Sequence, residues 1–106
     1  MNSQPLDDRF AALANPVRRG IVERVALGPA TVAAATGDLG VSKPAISRHL
    51  RVLEDAGLIR REVVGRTHRL SLTDGSLAAM AAWLARQEAM WQRKFDVIDA
   101  YLEERR

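Results

Sequence analysis

At 106 residues, with 47% hydrophobic side chains, the chain fits one domain with a core of its own, although a chain this small often completes that core by pairing with a second copy. It has no cysteine, which excludes disulfides, thiolate nucleophiles and thiolate metal sites, and no apolar run approaches the ~18 to 20 residues that span a bilayer. The formal charge of +3 is concentrated in Gly40 to Leu72, where Lys43, Arg48, Arg51, Arg60, Arg61, Arg66 and Arg69 outnumber Glu54, Asp55 and Glu62, while the rest of the chain sums to −1. A polyanion is the expected partner of that stretch. Met1 to Pro5 lacks the basic and apolar regions of a secretory signal, so a cytoplasmic protein is expected.

Leu6, Phe10 and Leu13 recur at helical spacing and predict a first helix from near Asp7 to the break at Asn15 and Pro16. Asn15 caps a second helix with Pro16 at its first position, and Val17, Ile21 and Val25 form its buried stripe up to Gly28 and Pro29. Thr31 caps a third helix through Val32 to about Thr36, of low intrinsic stability because it is built of small residues and runs into Gly37. After a turn at Gly40 and Val41, Ser42 caps a fourth helix over 42–57, with Ile46, Leu50 and Leu53 on one face and Gly57 as its stop. Two helices joined by a tight glycine-containing turn form a helix-turn-helix.

Leu58 to Val64 and Thr67 to Leu72 flank Gly65 and Arg66 and predict a hairpin with a basic tip, a wing over 58–72. Thr73 and Asp74 give a capping, acidic start to a segment over 73–106 that has neither glycine nor proline after Gly75, hence one long helix of about 45 Å. Along it Leu77, Leu84, Trp91 and Ile98 repeat at seven, with Met80, Phe95 and Leu102 in the same seam and Trp83, Met90, Val97 and Tyr101 in a second stripe. A helix with two apolar stripes needs two partners, so one stripe is assigned to the chain's own core and the other to a second subunit.

The strings ALANPVRRGIVERV (Ala12 to Val25), SKPAISRHLRVLEDAGLI (Ser42 to Ile59) and VVGRTHRLSL (Val63 to Leu72) closely resemble the ArsR family of winged-helix repressors, and with the terminal helix the resemblance covers nearly the whole chain. It implies a mainly α fold with a small β-hairpin, in the order ααααββα, and a dimer formed mostly through the terminal helices. It further implies that each fourth helix enters a major groove of operator DNA, and that an inducer releases the DNA. Metal-sensing relatives carry cysteine ligands on the third helix where this chain has Thr31 and Ala33, and others bind metal between terminal helices through histidine, which 73–106 lacks. No metal and no cofactor are therefore expected. Ala35 and Gly37 stand where relatives have bulkier helix formers, so the third helix is expected to be loose.

On the fourth helix Pro44, Ser47, Arg48 and Arg51 lie opposite the apolar face, with Ser42, Lys43 and Ala45 at its start. These residues, with Arg66 and Thr67 at the wing tip, are the candidate DNA contacts. Arginine has the fork geometry for guanine O6 and N7 or for a phosphate, serine can bond either, and alanine can flank a thymine methyl. Leu77, Leu84, Trp91, Phe95, Ile98 and Leu102 are the candidate dimer interface. His49 and His68 are expected to pack or hydrogen-bond, since no nucleophile, acid pair or cofactor loop supports catalysis. The Trp83, Met90, Trp91 and Tyr101 group is read as core or interface in preference to a pocket for an apolar effector, so any small-molecule or protein effector is left unidentified. The expected function is a sequence-specific, metal-independent transcriptional repressor. The alternative is a winged-helix module that binds protein without specific DNA binding.

Overall fold

A computed structural model describes residues 4–105, so the expected leaderless start before Gln4 and the helix end at Arg106 lie outside the described residues. The elements run α1 (Gln4–Leu13), α2 (Pro16–Ala26), β1 (Ala30–Thr31), α3 (Val32–Thr36), α4 (Lys43–Asp55), β2 (Ile59–Val64), β3 (Thr67–Leu72) and α5 (Ser76–Glu104). The mainly helical, winged architecture expected from the sequence is present, with α1 beginning three residues before Asp7.

The corner between α1 and α2 is built by side chains that satisfy both helix ends. Asn15 Oδ1 accepts the Val17 and Arg18 backbone N–H groups at 2.9 and 3.1 Å, and Pro16 has no donor to satisfy. From the other side, Arg18 Nε donates to the Ala12 carbonyl at 2.6 Å and Arg19 Nη1 to that of Leu13 at 2.9 Å, covering the open C-terminal end of α1.

The short α3 forms as placed, with Thr31 Oγ1 accepting the Ala34 N–H and the Thr36 hydroxyl donating to the Val32 carbonyl. Before it, Ala30 and Thr31 pair antiparallel with Leu70 and Arg69, so the expected two-stranded wing is a three-stranded sheet in the order β1-β3-β2. Two residues carry no readable periodicity, but Thr31 already has the extended backbone that a helix cap requires, and the same backbone pairs with β3.

Helix α4 starts at Ser42, whose Oγ accepts the Ala45 N–H at 3.3 Å. It ends at Gly57, which has φ +76°, and the paired bonds from Leu58 N–H to the Leu53 carbonyl and from Gly57 N–H to the Glu54 carbonyl close the last turn. Any other L-residue is strained in that conformation, so Gly57→Ala should lower unfolding free energy by about 1 to 2 kcal/mol in denaturant titration. The turn directs Leu58 and Ile59 inward, where they join Ile21, Leu50, Leu53 and Leu70 in the core between α2, α4 and the sheet.

Helix α5 does not begin as expected. Gly75, at φ +76°, precedes it with no side-chain cap, and Thr73 contributes its carbonyl, which accepts from the Ser76 hydroxyl at 2.8 Å. Among the described residues only the first turns of α5 are held by the other elements: Met80 is buried, Leu77 is half-buried against the core, and the ring of Trp83 meets Phe10 edge to face at 5.7 Å. From Ala81 onward every described residue is exposed. This corrects the division into one inward and one outward stripe. The core takes Leu77 and Met80 from the start of the first stripe, Trp83 of the second only meets Phe10 at the surface, and both stripes are open beyond it. The physical reason is length, since a 29-residue helix outruns every element available to pack on it and the molecule extends 70 Å along its long axis.

Candidate nucleic-acid interface

Burial orients α4. Ile46, Leu50 and Leu53 lie in the core, while Lys43, Pro44, Ser47, Arg48 and Arg51 are exposed together on the other side. Ala45 is half-buried and lies one turn before Arg48, on the flank of the exposed face beside His49. Ser42 is exposed, with its hydroxyl oxygen engaged as the helix cap. Arg66 and Thr67 sit at the wing turn, where positive φ falls on Gly65, and both are exposed.

The basic side chains divide into two groups. Arg61 is half-buried and donates to Glu54 Oε1 at 2.5 Å, and Arg60 lies 3.9 Å from Asp74. Among the described residues no ion pair involves Lys43, Arg48, Arg51 or Arg66. The Arg61–Glu54 bridge ties β2 to the last turn of α4 and lines a polar concavity of about 620 Å³ together with Ser47, Arg48, Arg51 and Asp55. A second cleft, where Lys43 and Ser47 face Arg66, Thr67 and His68, joins the start of α4 to the wing. The two concavities share Ser47 and Arg61 in their lining and carry Lys43, Arg48, Arg51 and Arg66 around them, a charge that suits a phosphate backbone beside an inserted helix.

Both histidines hydrogen-bond to arginine. His49 Nδ1 lies 3.2 Å from Arg18 Nη1, and His68 Nδ1 lies 3.4 Å from Arg61 Nη1. Burial, reinforced by the Arg18 and Arg48 cations, holds the His49 imidazole below the ordinary histidine range. Sequence reasoning did not find Arg9, which donates to the Ala56 carbonyl at 3.3 Å and supports the end of α4 from α1. No local pattern signals a bond between residues so far apart in the chain.

A buried-and-bared helix set on a two-helix corner, with an antiparallel wing beside it, defines a winged helix-turn-helix DNA-binding protein. Residues 13–62 match the helix-turn-helix domain family. The HTH-type transcriptional regulator Rv2034 of Mycobacterium tuberculosis is 41% identical over 87 residues, which span 82% of this chain and 78% of that protein. A solved ArsR family transcriptional regulator, RHA00566, superposes with a TM-score of 0.79 at 34% identity, covering 87% of this chain and 95% of its own. A probable mercury resistance operon repressor of Streptomyces lividans is 33% identical over 69 residues, 65% of this chain and 55% of that protein. The chain belongs to the ArsR family of winged helix-turn-helix transcriptional regulators.

Proposed function

We propose that the chain is a sequence-specific repressor that binds its operator as a homodimer in the cytoplasm and does not respond to metals. The observation that carries this reading is the unpaired cationic face of α4, whose Arg48 and Arg51 project from a helix locked by its own core face. In this reading the whole chain works as one unit: 42–57 reads the major groove, 58–72 reaches the flanking backbone, and 73–106 joins two copies. Arg48 and Arg51 contact base edges, Ser47 assists them, and Ser42, Lys43 and Pro44 place the helix start against a phosphate. Arg66 and Thr67 hold the backbone or minor groove beside the wing. Leu84, Trp91, Phe95, Ile98 and Leu102 supply the seam between copies.

The test is selection of duplexes from a random library, followed by binding measured across a salt series. A protein that neutralises several phosphates loses affinity linearly on a log–log plot, with a slope of about −0.9 per phosphate released. Enrichment of one palindromic sequence with a steep slope supports the reading. Failure to enrich any duplex, with a flat salt response, would instead favour a protein-binding winged helix.

Metal independence rests on residue types, since Thr31 and Ala33 offer no soft ligand and α5 has no histidine. Zinc, cadmium, mercury and arsenite should leave operator affinity unchanged in a gel-shift titration. Reversible release of DNA by one equivalent of any of them would overturn that part of the assignment.

A further inference from the structure

Arg18 sits where three helices meet. Its guanidinium donates through Nε to the Ala12 carbonyl at 2.6 Å and through Nη2 to the Ala11 carbonyl at 3.4 Å, both at the C-terminal end of α1, and its remaining arm reaches His49 Nδ1 on α4 at 3.2 Å. A guanidinium has only donors, so His49 Nδ1 must accept, which requires a neutral imidazole carrying its proton on Nε2. His49 is half-buried on the flank of α4 that faces the α1–α2 corner, where Arg18 meets it.

We propose that the Arg18–His49 contact is a proton-operated strut that sets α4 against the α1–α2 corner, so that acidification weakens operator binding. This rests on the DNA-binding reading above. Protonation converts the Nδ1 acceptor into a donor and places two cations in contact, so the strut is broken and becomes repulsive. The charged groups around it offer no relief. Arg48 immediately precedes His49 on the same helix and adds a second cation, Asp8 and Asp55 line the neighbouring cleft with Arg18, and among the described residues no carboxylate hydrogen-bonds to the imidazole. Burial also disfavours the imidazolium, and the folded chain therefore holds His49 below its usual value of 6.5. An unfolded chain binds the proton more readily, so the contribution of neutral His49 to stability is complete above 6.5 and is lost as the pH falls from there through the lower value of the folded chain.

The experiment uses the full chain with His68→Gln, which leaves His49 as its single histidine. In ¹⁵N spectra at neutral pH the imidazole should carry its proton on Nε2 and should titrate below the free-histidine value, an observation that needs no change at His49. The second arm compares this chain with one that also carries His49→Asn, whose Oδ1 can accept from Arg18 but cannot titrate. Between about pH 7.5 and about pH 5.5 the His49 chain should lose about three- to tenfold more operator affinity than its asparagine counterpart, and its thermal midpoint without DNA should fall relative to that counterpart. Parallel profiles in both measurements, or a proton on Nδ1 at neutral pH, would overturn the strut. Absence of duplex binding at every pH would reject the DNA-binding reading instead, with the spectra and thermal midpoints still deciding the strut.

Discussion

Trp91→Ala is expected to turn the proposed homodimer into monomers at micromolar concentration and to weaken operator binding by about 10²-fold or more. Trp91 is 58% exposed in the single chain, stacked edge to face on Phe95 with ring centroids 4.8 Å apart, at the midpoint of a seam that continues through Leu84, Ile98 and Leu102. An indole buries roughly 150 to 250 Å² when covered, and recovering about half of that at ~25 cal/mol per Å² contributes about 2 to 3 kcal/mol per subunit. Two-fold symmetry counts the loss twice. DNA affinity follows because a monomer holds one half-site and forfeits the effective concentration that makes the second contact cheap. Sedimentation of wild type and variant gives the first quantity and operator titration the second. A wild type that sediments as a monomer at micromolar concentration would refute the dimer.

The next largest effects are expected at Arg48 and Arg51, and they should differ in kind from those at Arg66. A lost bidentate base contact costs ~1 to 3 kcal/mol and falls on the cognate sequence, whereas a lost phosphate contact weakens all duplexes alike and lowers the salt slope by about one unit. Arg48→Ala or Arg51→Ala should therefore bring operator and scrambled-duplex affinities together, while Arg66→Ala should lower both and preserve their ratio. Arg61 supplies an internal contrast, because its charge is already engaged by Glu54. Arg61→Ala should act mainly through stability, by separating β2 from the end of α4. If both helix variants bind operator as wild type does, α4 is not the reading helix.

The parts of this fold that depend on local chemistry were legible in the sequence. Asn15 with Pro16, and Ser42 with Gly57, mark helix ends because a cap needs a particular side chain or backbone freedom at one position, and Ile46, Leu50 and Leu53 mark an inward face because spacing alone fixes it. What depends on distant segments was not legible. The pairing of Ala30 and Thr31 with β3 spans two residues, and the engagement of Arg61 by Glu54 or Arg18 by His49 exists only once separate elements have packed together. The same limit applies within the candidate site. Composition identified seven basic residues in the central stretch, but only packing separates Arg61, whose charge is spent inside the molecule, from Arg48 and Arg51, whose charge is not. On α5 the two stripes were readable, yet their division between core and solvent follows from how far the small domain reaches along the helix.

In the proposed complex two copies of α4 read successive major grooves, and methylation interference on the selected operator measures this at single guanines. Guanine N7 faces the major groove, so a methyl there blocks an arginine fork without disturbing the minor groove. Two symmetric clusters of interfering guanines, centred about 10 base pairs apart, are expected for two recognition helices on one face of the duplex, and Arg48→Ala or Arg51→Ala should remove a guanine from each cluster. A single unpaired cluster, or wild-type binding indifferent to methylation at every guanine, would rule out two α4 helices in successive major grooves.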